Sequence, residues 1–443
     1  MTRRAGNKVI WSWMSYDWAA QPFHTLLVTF IFAPYFASTV MSDPVAGQSM
    51  WGFMMALAGI VMALSAPILG AYADAVGPRK PWIFLFSILF VVGTIPLWMA
   101  VPEMENTTFI LILFAIGLIG VEFSQIFVNA MLPDLGDSSE IGRISGTGYA
   151  IGYAGGVLAL FIMLLFLAEN ADGVTLSGNP PILGLDPETR QGTRSVGPVT
   201  GIWYIVFMIP FFLWVPDVKR RVRTSNVVSS ALKDLVLTIR RLPENVSLAA
   251  YLGSSMFYRD ALNGLYTFGG IYAAGVLGWT ITQIGIFGII AAITAAIFSW
   301  VGGYIDRLIG PKKLIIICIL ILILVCTLIV GTSRDTFFSA PLADTSTLPD
   351  KLFMFCGALI GGAGGALQAS SRTMMVFQAN KERMTEAFGL YALSGRATAF
   401  LAPGLVALVT DLTQSQRLGI LPIIGLFLIG LVMLVWVDPK EGY

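Results

Sequence analysis

Long apolar runs alternate with short polar connections along almost the whole chain. A helix needs about 20 mainly apolar residues to cross a hydrocarbon core of roughly 30 Å. That rule predicts spans at 14-40, 49-73, 81-101, 108-132, 142-168, 200-215, 247-275, 281-304, 313-332, 352-377, 386-410 and 418-437. The first run follows Arg3, Arg4 and Lys8 but continues without a small-residue cleavage site. It therefore reads as a membrane helix and not as a removable leader.

Composition agrees, with 56% of residues hydrophobic and 12% charged, where soluble domains carry about 25% charged residues. The fold expected is an all-α membrane protein of twelve transmembrane helices. A net charge of +1 gives no reason to expect a nucleic-acid partner. The placement of charge says more. Nineteen of the 27 basic residues fall in segments on one side of the predicted spans, five on the other, and Arg259, Arg372 and Arg396 lie within spans. The positive-inside bias puts both termini in the cytoplasm. The connection at 169-199, rich in Gly, Pro, Asp and Asn, is expected to be an irregular extracytoplasmic loop. Cys318, Cys326 and Cys356 all lie in apolar runs, without metal-ligand or disulfide-framework spacing.

An internal duplication organises these spans. GAYADAVGPRK (70-80) recurs as GGYIDRLIGPKK (302-313), and GTGYAIGYAGG (146-156) aligns with GLYALSGRATA (389-399) at an offset that sets Asn129 opposite Arg372 and Tyr153 opposite Arg396. Two six-helix halves follow, 1-215 and 246-443. The basic linker 216-245 between them has Leu232, Leu235, Val236 and Ile239 at helical spacing before Pro243, which predicts a short amphipathic helix at the membrane surface. Parallel six-helix repeats are the architecture of major-facilitator transporters, whose substrate site lies between the halves near the midplane.

The repeated loop resembles the cytoplasmic signature of that superfamily. The resemblance implies a latch between the halves built from Asp74, Arg79 and Lys80 with Asp306, Arg307, Lys312 and Lys313. Ala75 stands where the pattern often has an arginine, which Arg307 keeps in the second copy. YDWA (16-19), TFIFAPYF (29-36), NAMLPDL (129-135), SGTGYAIGYAGG (145-156), FGGIYAAGV (268-276) and FGLYALSGRATAFLAP (388-403) resemble the vacuole-effluxer, autophagy-related branch, in its bacterial form. The resemblance implies a transporter of small organic solutes. Fungal relatives are associated with amino-acid efflux from the vacuole.

Ionisable groups inside spans are costly and face a cavity, pair with one another, or both. Candidates are Asp17, Glu122, Arg259, Asp260, Arg372, Arg396 and the single histidine, His24. Glu122, midway along the fourth span, fits a proton-coupling carboxyl, because burial favours the neutral form, or an interhelical ion pair. Asp17, nearer the cytoplasmic end of the first span, is a second proton-coupling candidate, or is solvated from the inner vestibule or paired with a basic loop residue. Arg396 lies too deep to snorkel; it holds either a substrate anion through its bidentate guanidinium or one of these carboxylates. Arg372, nearer a span end, is either a substrate-binding residue or a snorkelling one. Arg259 and Asp260 are adjacent, so their side chains diverge by about 100° on a helix, one towards the cavity and one towards a neighbour. Tyr258, Asn263, Gln125, Asn129, Tyr266 and Gln368 are candidate polar lining. His24 reads as a packing residue.

These features predict a secondary active transporter of a small organic anion or zwitterion, amino-acid-like, working by alternating access. The coupling ion is expected to be the proton, with sodium as the other choice, and the protein a monomer in a bacterial cytoplasmic (inner) membrane. An exporter of a larger amphipathic compound and a non-transporting sensor are the alternatives. No cofactor, metal site or enzymatic activity is expected. One histidine, the absence of a metal-ligand cluster and of a nucleophile beside a base, and the lack of a GxxxxGK[ST] loop argue against catalysis and ATP as energy source.

Overall fold

In a computed structural model the described residues are 5–439, apart from 171, 218–235, 238, 239, 241, 280, 339 and 344. The predicted amphipathic linker helix falls largely outside them. Among the described residues eleven helical segments are long and apolar enough to cross a membrane: Asn7–Val40, Met50–Val76, Lys80–Met99, Thr107–Asp134, Ser138–Leu167, Gln191–Trp214, Gln283–Ile309, Pro311–Gly331, Leu348–Gln378, Lys381–Thr413 and Leu418–Trp436. The helix Val246–Gly275 is 30 residues long but less apolar, since it carries Arg259 and Asp260. With it as the seventh, these are spans one to twelve. The only strands among the described residues, Thr336–Phe337 and Ala340–Pro341, form a small hairpin.

The repeated loop owes its shape to its sequence. Gly77 and Gly310 take φ of 105° and 86°, which only glycine adopts cheaply, and a proline starts the next helix turn in each copy. Lys80 then donates to the carbonyls of Phe212 and Val215 at the end of span six, at 2.7 and 2.8 Å. Lys312 does the same to Val437 at the end of span twelve, at 2.7 Å. A cation at a helix C-terminus satisfies orphan carbonyls and the dipole, so these two lysines tie each half to itself.

Two spans are broken, each three residues before a proline. Span one runs as Asn7–Pro22, becomes π-helical over Phe23–Phe30 and breaks at Ile31 (φ −121°, ψ −65°). Span eleven runs as Met384–Ala397, turns at 398–400 and resumes as Leu401–Thr413. Pro34 and Pro403 cannot donate to the residue four back and crowd its carbonyl. The breaks fall where that conflict lies.

The halves meet through spans two with eleven, five with eight and ten, and four with eleven. Contact is closest at the face carrying both ends of the described chain, here the terminal face. A side chain on Gly146 would strike the Ser299 carbonyl and Gly303; one on Gly70 would strike the Thr385 backbone. Cys318, Cys326 and Cys356 are all buried and free, so the native chain presents little thiol background. Gly146→Val should prop the terminal face apart. A cysteine placed at Ser145, buried between the halves, should then react with a membrane-impermeant maleimide at least tenfold faster than in the Gly146 background. Equal rates would contradict the close-approach account.

Candidate functional site

Span one brings Asp17 to the interface between the halves. Trp13 Nε1 donates to the Val128 carbonyl and Tyr16 Oη to that of Val121, both at 2.9 Å, which fixes span one against span four. The absent side chain of Gly148 leaves room for the Asp17 carboxylate and the Arg372 guanidinium, and Gly152 gives span five room against the Asp17 backbone. Arg372, 1% exposed, reaches from span ten into this gap. Its Nη1 lies 3.1 Å from Asp17 Oδ2 and 3.3 Å from Asn129 Oδ1. Its Nε donates to Ser145 Oγ at 2.9 Å and its Nη2 to the Ser145 carbonyl at 2.6 Å. The rings of Trp13 and Tyr149 flank it at 5.1 and 4.3 Å. Snorkelling is thereby corrected. Arg372 is enclosed between the halves because a carboxylate, an amide, a hydroxyl, a carbonyl and two ring faces replace its hydration.

Asn129 and Arg372 are the positions that the duplication sets opposite each other, and here they touch. Equivalent residues can touch only near the pseudo-twofold axis, so the cluster sits on that axis. The same offset relates Asp17 to Asp260, Gln125 to Gln368 and Gly152 to Gly395.

A second cross-half pair, with about a quarter of each side chain exposed, joins Arg396 Nη2 to Glu122 Oε1 at 2.6 Å. Gly59 of span two lies alongside the Arg396 stem. His24 and Arg259 lie near enough to Glu122 for Coulombic contact. Arg259 stacks its guanidinium on the Tyr391 ring at 4.1 Å and donates to the Tyr391 carbonyl at 2.9 Å. Gly395 leaves the space that this guanidinium fills. No salt bridge to a carboxylate is formed by Arg259 among the described residues. Of the three intramembrane arginines it alone forms no salt bridge among the described residues, its interaction with Glu122 being Coulombic only.

The remaining candidates divide. Gln125 lies beside Asp17. Gln368 donates to Tyr153 Oη across the halves at 2.9 Å, with Tyr266 nearby. Asn263 is exposed. Asp260 and Tyr258 are both buried. Tyr258 pairs with Ser371 Oγ at 2.8 Å, and the Asp260 carboxylate accepts from Ala402 N at 2.9 Å. Asn129 is also buried, and its amide serves Arg372.

At the terminal face Asp74 accepts from Glu386 N at 2.8 Å. Arg79 Nε donates to Thr385 Oγ1 at 3.1 Å, and its Nη1 pairs with Asp134 at 3.0 Å. These two residues do bridge the halves. Lys80 and Lys312 do not, as described above. Asp306 is buried beside Thr373 of its own half and against Gly142 of the other, and Arg307 and Lys313 are exposed. Missed in the sequence were Ser145, Tyr149, Tyr391 and Thr385. The spacing of Tyr149 and Tyr153 on one helical face was the available signal for the first aromatic pair.

A two-half helical bundle with paired charges on its axis is the architecture of a major-facilitator transporter. Solved structures agree: the fucose transporter FucP in its outward conformation superposes at a TM-score of 0.69, with 13% identity and 97% of each chain covered. The proton:xylose symporter XylE superposes at 0.70, with 12% identity over 96% of this chain and 94% of that one. The family profile described as vacuole effluxer Atg22 like matches residues 38–443, and the chain belongs to that family. It is 25% identical over 434 residues to the uncharacterized MFS-type transporter YxiO of Bacillus subtilis, covering 97% of this chain and 94% of that protein. Autophagy-related protein 22 of Yarrowia lipolytica is 20% identical over 325 residues, 68% of this chain and 51% of that one. The chain thus spans about half the length of that fungal relative. It is a multi-pass integral membrane transporter, not an enzyme.

Removing one member of a buried pair strands the other, which costs about 3–5 kcal/mol, whereas removing both costs less. Arg372→Ala and Asp17→Ala should each lower the melting temperature of the purified protein by several degrees. The double variant should fall by clearly less than the sum. Additive losses would mean that the two groups do not depend on each other.

Proposed function

We propose that the chain is a secondary active transporter of a small organic anion or zwitterion, amino-acid-like in size and charge, working by alternating access with Glu122 as the proton-coupling carboxyl. The observation that carries this reading is the unmatched guanidinium of Arg259 beside the Arg396–Glu122 pair. An arginine in a low-dielectric site is costly without an anion, and its planar fork suits a carboxylate. A carboxylate arriving at Arg259 supplies that anion. Glu122, within Coulombic reach of Arg259, keeps a carbonyl oxygen that accepts from the ammonium of a zwitterion in either protonation state.

Coupling follows from the pair. A proton on Glu122 removes the charge that holds Arg396, and releases this guanidinium to a second substrate oxygen. Substrate and proton then load together. With both bound, the groups that join the halves at the midplane are satisfied from within the cavity, and the bundles are freed to rock about the Arg372 cluster. The latch at Asp74 and Arg79 holds the terminal face closed in the state described. That face, with its excess of basic residues, is the cytoplasmic one on this reading. A bacterial cytoplasmic membrane and a monomer complete the proposal, with 1-215 and 246-443 as the moving halves and 216-245 as linker.

The test is uptake of labelled amino acids into proteoliposomes with and without an inward proton gradient. Arg259→Ala should raise the half-saturation concentration about 30-fold or more, since truncating one partner of a buried charge pair costs about 2–5 kcal/mol. Arg259→Lys should recover only part of it. Glu122→Gln should lose gradient-driven accumulation while keeping counterflow. Unchanged kinetics in Arg259→Ala would remove the anion reading, and dye export in its place would favour the larger amphipathic substrate. Saturable binding without counterflow would favour a sensor.

A further inference from the structure

Span eleven breaks immediately after the residue that pairs with Glu122. Arg396 is the penultimate residue of the helix Met384–Ala397, three residues turn, and Leu401–Thr413 starts afresh. A new helix start in a membrane exposes orphan N–H groups that lipid cannot satisfy. Leu401 N bonds the Thr398 carbonyl at 2.7 Å and Gly404 N that of Phe400 at 3.0 Å. Pro403 has no N–H. That leaves Ala402 N, and the Asp260 carboxylate reaches it from span seven at 2.9 Å. Asp260 is 1% exposed, and Thr398 Oγ1 ties the other side of the turn to the Met256 carbonyl of the same span at 3.2 Å. Span seven therefore clamps both sides of the break.

We infer that Asp260 is a positioning residue for Arg396: it caps the second segment of span eleven and thereby fixes the turn from which the Arg396 guanidinium is aimed at Glu122. The capping carboxylate also occupies the positive end of Leu401–Thr413, a place that would otherwise attract an anion. It thus directs an incoming anion to the guanidinium side. The duplication sharpens the contrast. Asp17, the equivalent position in the first half, crosses to Arg372 in the other half, whereas Asp260 stays within its own. In the first half glycine at 148 and 152 opens span five to the carboxylate. In the second Tyr391 takes the place of Gly148, and Gly395, the equivalent of Gly152, is filled by Arg259. Asp260 is left with the broken end alone.

The inference rests on the proposed transport reading only for what Arg396 does to substrate, so its test uses none. The coupling between Glu122→Ala and Arg396→Ala is measured as a double-mutant cycle in melting temperature, in native, Asp260→Asn and Asp260→Leu backgrounds of the full chain. Hydrogen exchange of peptides covering 396–406 is followed in parallel. Asparagine keeps a carbonyl acceptor and should preserve both the coupling and the protection. Leucine removes the acceptor; it should raise exchange in those peptides at least tenfold and reduce the coupling by more than half. Should Asp260→Leu not accumulate, Asp260→Ser, whose hydroxyl is too short to reach Ala402, replaces it. A merely structural Asp260 would lower every melting temperature equally and leave the coupling intact, which would overturn the inference, as would native exchange in the leucine or serine variant. If these results hold while no amino acid is transported, the positioning role stands and only the substrate reading falls.

Discussion

An ionised side chain inside a bilayer has to find its counter-charge within the protein, and that constraint governs the interface between the two halves. Arg372 would be prohibitively costly in hydrocarbon. It is accommodated because Asp17, Asn129 and Ser145 from the other half close around it. The consequence is mechanical. Groups that must be together for electrostatic reasons hold the halves together, and separating them at this level requires replacement partners, either water or a ligand.

The two cross-half pairs differ in how easily they are replaced. The Asp17–Arg372 cluster is buried, lies on the pseudo-twofold axis and is flanked by Trp13 and Tyr149, which suits a pivot. The Glu122–Arg396 pair is partly accessible and has the unmatched Arg259 beside it, which suits a site that exchanges partners. Closing the terminal face then falls to the buried hydrogen bonds from Arg79 to Thr385 and from Glu386 N to Asp74. Hydrogen bonds to charged groups of that kind are worth about 1.5–3 kcal/mol each, less than the roughly 3–5 kcal/mol that stranding one member of a buried ion pair costs. Backbone breaks complete the design. Prolines at 34 and 403 interrupt spans one and eleven within their length, where irregular backbone is tolerated because protein groups such as the Asp260 carboxylate satisfy it.

Much of this was legible in the chain itself. Apolar run lengths gave the spans, and the repeated Gly-Pro-basic loop gave the duplication. The offset between GTGYAIGYAGG and GLYALSGRATA set Asn129 opposite Arg372 before either could be placed in space. What the chain alone left open was pairing. Arg396 had both Asp17 and Glu122 as potential partners, and one-dimensional spacing cannot choose between carboxylates on different helices. Depth misled for Arg372, because distance from a span end says nothing about whether the side chain faces lipid or the other half. Asp260 carried the same charge signal as Glu122. Only the break created by Pro403 explains why its carboxylate faces a backbone N–H and not the cavity. Lys80 and Lys312 followed a motif associated with latching, yet the ends of spans six and twelve lie closer to them than the other half does.

The central claim is that a substrate carboxylate pairs with Arg259, which forms no salt bridge among the described residues. It is tested most directly by comparing the thermal stabilisation of the purified protein by amino acids and by their amides, which differ only in the carboxylate. Binding raises apparent stability by mass action. The account predicts that one or more amino acids stabilise the native protein, that the matching amides do not, and that Arg259→Ala abolishes the difference. Equal stabilisation by acid and amide, or a difference that survives in Arg259→Ala, would contradict it.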